Sequence, residues 1–156
     1  MEVVRASHAD VEAIARLGEM FVAEFMPGMP YDPMSFGCLI QNWIQNNPMA
    51  RVWVLRDGEE VRGFSIGMLS PPWFNPQALD FSELAWFVHP DYRGKTGTGA
   101  VRLLTALRGD AEAMGASHFS TSAEAGGKSL VAKLYKKMGM THQESTYVMA
   151  INKETA

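Results

Sequence analysis

The sequence predicts a mixed α/β domain: a mostly antiparallel sheet with one βαβ half, flanked by four helices. Its 156 residues, 47% of them hydrophobic, suit one domain with its own core. Apolar residues recur at helical spacing or in short strand-like runs, in the order β-α-α-β-β-β-α-β-α-β. Antiparallel strands therefore come first and strand–helix–strand crossovers follow, which is typical of a mixed sheet. We expect a single domain over residues 1–156.

The first half of the chain predicts one strand and two helices. A short strand begins at Val3, and Ser7-His8-Ala9-Asp10 has the capping-box pattern that starts a helix over residues 9–25. Asp32-Pro33 starts the second helix, because an acid at the N-cap and proline at the first helical position are both favoured. Pro48 closes that helix.

The second half predicts the rest of the sheet. Asp57-Gly58 is a hairpin signal between strands over 51–56 and 61–69. The remaining expected elements are a buried strand over 81–89, a third helix with an apolar stripe from Val101 to Met114, a strand over 118–122, a fourth helix ended by Gly139, and a closing strand or bent pair over 140–152.

Composition excludes several classes of protein. Lys and Arg total 14 against 17 Asp and Glu, and the net charge of -3 lacks the basic character of a nucleic-acid binder. One cysteine, Cys38, excludes an internal disulfide, and the four histidines show no paired metal spacing. No apolar run approaches the roughly 18 residues of a membrane helix, and the N-terminus is not a signal peptide. We expect a cytoplasmic protein with no metal, nucleic acid or membrane partner, and we expect Cys38 to be a buried small hydrophobe.

The sharpest local pattern lies between the strand over 81–89 and the third helix. Glycines there let backbone amides approach an anion, and the helix N-terminus and two cations add positive charge. The pattern predicts a phosphate-binding loop formed by Arg93, Gly94, Lys95, Thr96, Gly97, Thr98 and Gly99. Two nucleotide motifs fit poorly, because His89 stands where a P-loop needs glycine and Arg102 stands where a dinucleotide fingerprint needs a small residue.

The same residues resemble a family motif. Val88-His89-Pro90-Asp91-Tyr92-Arg93-Gly94-Lys95, then Thr96 as an additional residue, then Gly97-Thr98-Gly99, is similar to the Val-x-Pro-x-Tyr-Arg-Gly-Lys-Gly-x-Gly motif of the GCN5-related N-acetyltransferases. The segment Leu134–Met140 is similar to that family's Leu-Tyr-x-x-x-Gly-Phe, with Met140 for phenylalanine. Lys128 stands where asparagine commonly opens the fourth helix. The resemblance implies the acyl-CoA N-acyltransferase fold and transfer of an acetyl group from acetyl-CoA to an amine.

The resemblance also implies a binding mode for acetyl-CoA. The pyrophosphate would lie on amides of residues 94–99 and on the third helix's N-terminus, and Lys128 would reach a phosphate. The pantetheine would pair with the backbone of Phe87 and Val88, where the strand over 81–89 splays from the next. The amine would attack the thioester directly, without an acyl-enzyme.

Such a reaction needs a base for the ammonium proton and an acid for the leaving thiolate. Tyr135 matches the family's thiolate-protonating tyrosine, although it also suits the apolar stripe of the fourth helix. Glu83 is the best candidate for the base, because burial in an apolar strand should raise the pKa of its carboxyl group. Glu124 is a weaker rival, and the family often uses only water.

The acceptor pocket is expected at the segment between the first two helices. Met29 and Tyr31 would form an adaptable apolar wall and Asp32 would attract a cationic amine, although covering the core explains these residues equally well. Trp73 begins a Trp-Phe loop similar to those of small acetyltransferases encoded by phages. It could line the pocket or pack on a second copy of the chain, which would make a homodimer.

Two other functions stay open at this stage. Thr96 and Lys128 depart from the family pattern and favour an idle CoA-binding or protein-interaction module on the same fold. Gly94-Lys95-Thr96 favours, more weakly, a nucleotide-binding protein.

Overall fold

In the computed structural model of the chain, residues 1–94, 98–123, 130–144, 146, 147, 149 and 151 are described. Contacts divide the chain into two compact units, Met1–Ser122 and Ala123–Ala156, which are treated separately below.

The first unit carries the sheet that the sequence predicts. It contains, in chain order, β1 (Glu2–Arg5), α1 (Val11–Phe25), α2 (Pro33–Asn46), β2 (Ala50–Asp57), β3 (Glu60–Ser70), β4 (Asp80–Val88), α3 (Thr98–Ala113) and β5 (His118–Ser120). Within the described residues the five strands form one sheet in the order β1-β2-β3-β4-β5. The first four pair antiparallel and β4 pairs parallel with β5, so the mixed, mostly antiparallel architecture is confirmed.

The sheet has a core on each face. Alternate residues of a strand point to opposite faces, so β2 contributes Val52 and Val54 to one core and Leu55 to the other. The first core packs α1 and α2 against the sheet, with Ile14, Leu17 and Ile40 buried from the helices. The second packs α3, whose Leu103, Leu104 and Leu107 are fully buried.

The start of α1 is built as the capping box predicts. The carboxylate of Asp10 accepts hydrogen bonds from the backbone N–H of Ser7 at 2.8 Å and from its hydroxyl at 2.9 Å. A turn of 3₁₀ helix over His8–Asp10 precedes α1, so the regular helix begins two residues later than expected. Asp10 also pairs with Arg56 of β2, and this pair compensates a carboxylate that is only 2% exposed.

Cys38 is exposed, contrary to the sequence-based expectation. The buried positions of α2 are Gly37 and Ile40. Cys38 is one residue from the first and two from the second, which turns it away from that face of a helix with 3.6 residues per turn.

A β-bulge interrupts β4 opposite β3. Gly67 pairs with Glu83 and Ile66 pairs with Ala85, so Leu84 has no register partner on β3. A bulge bends its strand and changes which face the following side chains occupy. Phe81 accordingly packs in the α3 core, whereas Phe87 packs in the core under α1 and α2.

Gly67 is required by this packing. A Cβ at that position would lie 2.2 Å from a ring carbon of Phe81 and 3.1 Å from Leu107. We expect Gly67→Ala to lower the free energy of unfolding by about 2 kcal/mol, because overpacking of a tight core is costly. Urea unfolding followed by circular dichroism measures it. Gly109→Ala in α3 is the matched control, because nothing lies within 4 Å of its added Cβ and alanine favours the helix by roughly 0.5–1 kcal/mol. Equal stability of the two variants would contradict the expectation.

The second unit contains α4 (Leu130–Lys137). Gly139 has a φ of 82°, the N–H of Met140 donates to the carbonyl of Tyr135, and the N–H of Gly139 donates to that of Lys136. This is a Schellman C-cap, so Gly139 ends the helix as predicted. The expected closing strand is not found among the described residues of 140–152, where Tyr147, Met149 and Ile151 are exposed. Residues 145, 148, 150 and 152 of that segment lie outside the described residues.

Candidate active site

The pairing between β4 and β5 is short. It joins Asp80 to His118, Phe81 to Phe119 and Ser82 to Ser120, and then stops. No strand of the described part continues this ladder beside Phe87 and Val88. The family resemblance implies that the pantetheine would pair with β4 beyond the end of this ladder. The side chains of Phe87 and Val88 themselves are buried in the two cores.

Glu83 is the first residue of β4 beyond the last pair of the β4–β5 ladder. One carboxylate oxygen, Oε2, accepts a hydrogen bond from the hydroxyl of Thr121 at 2.7 Å and from the N–H of Ser122 at 3.1 Å. The side chain is buried, and burial raises the pKa of its carboxyl group although both hydrogen bonds oppose the rise. The sequence-based expectation of a raised pKa is therefore met, and the carboxyl group is held in one position by the chain that follows β5.

The bulge places Leu84 directly after this carboxylate. Leu84 is 47% exposed, unlike its neighbours in the strand, and its backbone is outside the β3 ladder. Bulges often occur beside active sites, where they re-aim side chains and free backbone groups from pairing. Nothing in the sequence signalled this bulge except Gly67 on the opposite strand.

Arg93 follows the turn of 3₁₀ helix over Pro90–Tyr92 and is fully engaged. Its Nε donates to the carbonyl of Val88 at 2.7 Å, and its Nη1 and Nη2 donate to the two carboxylate oxygens of Glu24 at 2.6 and 2.8 Å. The guanidinium also lies over the Phe87 ring, 4.7 Å from its centroid. The residue that the sequence assigns to phosphate binding thus holds α1 to the end of β4. Sequence reasoning missed Glu24.

The rest of the predicted phosphate loop is described only in part. Gly94 has a φ of 76°, a conformation that favours glycine and permits a sharp turn into the loop. Gly99 lies in the first turn of α3, where a Cβ would come within 2.8 Å of Leu55. Residues 95–97 (Lys95, Thr96 and Gly97), the side chain of Thr98, and Lys128 and Glu124 in the segment 124–129 lie outside the described residues.

Two predicted acceptor residues have structural contacts. The hydroxyl of Tyr31 donates to the carbonyl of Ala15 at 2.6 Å, and desolvation raises its pKa to about 12. Asp32 caps α2 by accepting hydrogen bonds from the hydroxyl of Ser35 and from the N–H of Met34, and these bonds lower the pKa of its carboxyl group. Both contacts give these residues roles in holding the segment between α1 and α2.

The other two acceptor candidates face solvent. Met29 is 54% exposed and Trp73 is 94% exposed. Trp73 packs edge-to-face on Phe74 at 5.5 Å, and the turn that presents them is closed by a hydrogen bond from the N–H of Asn75 to the carbonyl of Pro72.

Tyr135, the predicted acid, lies in α4 of the second unit and is buried. Its carbonyl accepts the C-capping hydrogen bond from Met140. The role of Tyr135 as the acid stays a sequence-based prediction.

A cleft of about 400 Å³ lies at the opposite end of β2 from the predicted loop, beside the end of α2. Its lining includes Arg5, Arg51 and Trp43 and none of the predicted site residues. Both arginines already form ion pairs with Asp110, which also accepts the indole N–H of Trp53 at 2.7 Å. Among the described residues no cluster of His, Cys, Asp and Glu could hold a metal ion, and no helix is long and apolar enough to cross a membrane.

Comparisons with known proteins give structural matches alone. No protein-family model and no curated protein matches the sequence. A probable acetyltransferase of known structure has a TM-score of 0.75 at 17% identity, over 99% of this chain and 100% of that one. A ribosomal-protein-alanine N-acetyltransferase from Brucella melitensis biovar Abortus 2308 has a TM-score of 0.67 at 20% identity, over 97% and 100%. A transcriptional regulator from Bacillus halodurans C-125 has a TM-score of 0.76 at 15% identity, over 96% and 99%.

The chain therefore has the fold of the GCN5-related N-acetyltransferases, as its motifs indicated. The match extends over nearly the whole chain and nearly the whole of each structure. At identities of 15–20% it establishes the fold, and the reaction has to be argued from the residues.

Proposed function

We propose that this protein is an N-acetyltransferase that moves an acetyl group from acetyl-CoA to a primary amine within a ternary complex. The observation that carries the proposal is Glu83, a buried carboxyl group with a raised pKa directly beyond the end of the β4–β5 ladder. Titratable groups whose pKa is strongly perturbed by burial often occur at functional sites. The reaction class is proposed from the sequence motifs that resemble the GCN5-related N-acetyltransferases, on the fold that the structural comparisons show.

The acetyl-CoA site is proposed at the end of β4. The pantetheine would run along the backbone of Phe87 and Val88, where the parallel ladder has already ended. The phosphates would lie at Arg93 and Gly94, on the amides of residues 94–99 and at the N-terminus of α3, with Lys128 as a further cation. Helix N-termini and glycine-rich turns favour anions, which supports this direction of binding.

The reaction is proposed to proceed by direct attack. The amine nitrogen attacks the thioester carbonyl carbon, so a C–N bond forms as the C–S bond breaks. Glu83 takes the proton that the amine loses, directly or through water, and the raised pKa brings its basicity closer to that task. Tyr135 donates a proton to the departing CoA thiolate. No acyl-enzyme forms, which agrees with a single cysteine on an exposed helix face.

The acceptor is proposed to enter from the segment between α1 and α2. Met29 is exposed there, whereas Tyr31 and Asp32 shape the segment through their own hydrogen bonds. Trp73 is proposed either as an edge of the pocket or as a contact with a second copy of the chain. A screen of polyamines, aminoglycosides, amino acids and peptide N-termini for CoA release would identify the acceptor class.

Acetyl-CoA is expected to raise the melting temperature of the protein. A ligand at about 100 times its Kd stabilises the native state by about 2.7 kcal/mol, which corresponds to roughly 5–10 °C for a chain of this size. Differential scanning fluorimetry with acetyl-CoA, CoA and ATP measures the effect. We expect shifts with both CoA forms and none with ATP. The absence of a shift with either CoA form would remove the cofactor assignment, and a shift with ATP alone would support a nucleotide-binding protein.

A second function is an idle CoA-binding module on the same fold. The departures from the family pattern at Thr96 and Lys128 favour it. A CoA-induced shift without CoA release from acetyl-CoA, with any amine in the screen, would identify this alternative.

A further inference from the structure

Glu24 occupies a position that its own helix does not favour. It lies in the last turn of α1, where the helix dipole attracts cations and repels carboxylates, and that turn contains no basic residue. The pKa of Glu24 is nevertheless lowered, chiefly by its hydrogen bond to Arg93. The ionised carboxylate of Glu24 is therefore stabilised by Arg93, which lies 69 positions away in sequence, and not by the helix that carries Glu24.

The contact between the two residues is directional. Both Nη atoms of Arg93 donate to Glu24, one to each carboxylate oxygen, while Nε is bound to the carbonyl of Val88. This bidentate arrangement is the one that a guanidinium also uses for a phosphate group. The pair is partly exposed, with side-chain exposures of 37% and 36%, so an anion in solution can compete for it.

We propose that Glu24 controls cofactor binding by holding Arg93 in a carboxylate-bound position that the phosphate of CoA must displace. The inference rests on the proposed function, because it takes the CoA phosphates to arrive at Arg93. Glu24 is then a positioning residue on α1, and its carboxylate has two effects. It occupies the donors that the phosphate needs, and its negative charge lies beside the arriving negative charge.

This arrangement links the two sides of the proposed site. Glu24 lies one residue before the end of α1, and the segment that follows leads to Met29 and Tyr31. Displacement of Glu24 by phosphate would release the end of α1 from β4 at the moment the cofactor binds. We therefore expect the protein to bind the cofactor less tightly than it would without Glu24, and we expect cofactor binding to affect the acceptor side.

The test is the Kd of CoA for the wild-type protein and for Glu24→Gln, measured by isothermal titration calorimetry. The amide removes the charge and keeps the shape, so we expect binding about 2- to 5-fold tighter, in line with the loss of one partly exposed ion pair. The gain should shrink at high salt, because screening weakens the competing pair. Glu12→Gln is the matched control, since Glu12 forms an exposed ion pair with Arg16 on the same helix, and its Kd should equal the wild-type value.

The same comparison of Kd values in the Arg93→Gln variant distinguishes an effect of Glu24 that acts through Arg93 from a general effect of its charge. In the Arg93→Gln background, Glu24→Gln should tighten the binding of CoA by less than it does in the wild-type background, because only the repulsion between the carboxylate and the phosphate is left to remove. An unchanged or weaker Kd for Glu24→Gln in the wild-type background, or the same gain with and without Arg93, would overturn the inference. Glu24→Ala provides a second substitution with the same expected direction, and melting temperatures verify that each variant is folded. If the wild-type protein does not bind CoA, the proposed function falls together with this inference; if it binds CoA and Glu24→Gln equals it, only the inference falls.

Discussion

Replacement of Tyr135 by phenylalanine is expected to lower turnover with acetyl-CoA about 10²- to 10⁴-fold, the usual contribution of a positioned general acid. The substitution removes one hydroxyl and keeps the ring that is buried in α4. The thiolate would then have to leave without a proton, whereas the binding of acetyl-CoA does not need that proton. We therefore expect kcat to fall much more than the Kd of acetyl-CoA changes. Steady-state kinetics and calorimetry on the same preparation measure the two quantities.

The chain offers a matched control for this change. Tyr147→Phe removes a hydroxyl from a tyrosine that is 94% exposed in the same unit, and turnover should stay at the wild-type value. Wild-type turnover in Tyr135→Phe would exclude Tyr135 as the acid. A parallel loss in both variants would point to a general effect on the second unit.

Glu83→Gln is expected to lower kcat about 100-fold or more at neutral pH, since a positioned general base contributes about 10²- to 10⁴-fold. The wild-type rate should rise with pH through the raised pKa of Glu83, because only the deprotonated carboxylate can accept the proton of the amine. That rise should be absent in the amide variant. A stopped assay for CoA release across pH 5–9 measures both, with the exposed Glu112→Gln as the control. A variant with the wild-type rate and pH profile would assign the base to water or to Glu124.

The same substitution should raise the stability of the protein. Burial raises the pKa of Glu83 above its ordinary value of 4.5, so the folded protein binds this proton more tightly than the unfolded chain does. The ionised carboxylate therefore reduces wild-type stability as pH rises from the ordinary value through the raised pKa, and the reduction is constant above it. Glutamine carries no such penalty, and its carbonyl oxygen can accept the same bonds from Thr121 and Ser122. The melting temperature of Glu83→Gln should exceed the wild-type value at pH 8, and the difference should vanish below pH 4. An equal difference at both pH values would show that desolvation of the charge is not the cause.

Local sequence patterns predicted the helices and the sheet well because each pattern involves only neighbouring residues. The capping box at Ser7 and the hairpin at Asp57-Gly58 each involve groups a few residues apart, and both are formed. The burial of Glu83 could also be predicted, because the residues around it in β4 are apolar. Features of this kind depend on the local secondary structure and not on contacts between distant segments.

The remaining features depend on packing between distant segments. Glu24 and Arg93 meet only because α1 crosses the end of β4, and no periodicity in either segment predicts that contact. The bulge at Leu84 reads in sequence as one more apolar residue of a strand. The closing strand or bent pair expected over 140–152 is not found among the described residues of that segment, where Tyr147, Met149 and Ile151 are exposed.

The bulge in β4 places the residues before it and the residues after it in different cores. Phe81, before the bulge, packs in the core under α3, and Phe87, after the bulge, packs in the core under α1 and α2. Leu84 is the extra residue between these two segments and has no register partner on β3. Leu84 can therefore change in size or polarity without opening a cavity in either core. Substitutions at Leu84, in nature or in the laboratory, can therefore vary the exposed surface next to Glu83 while both cores and the fold stay intact.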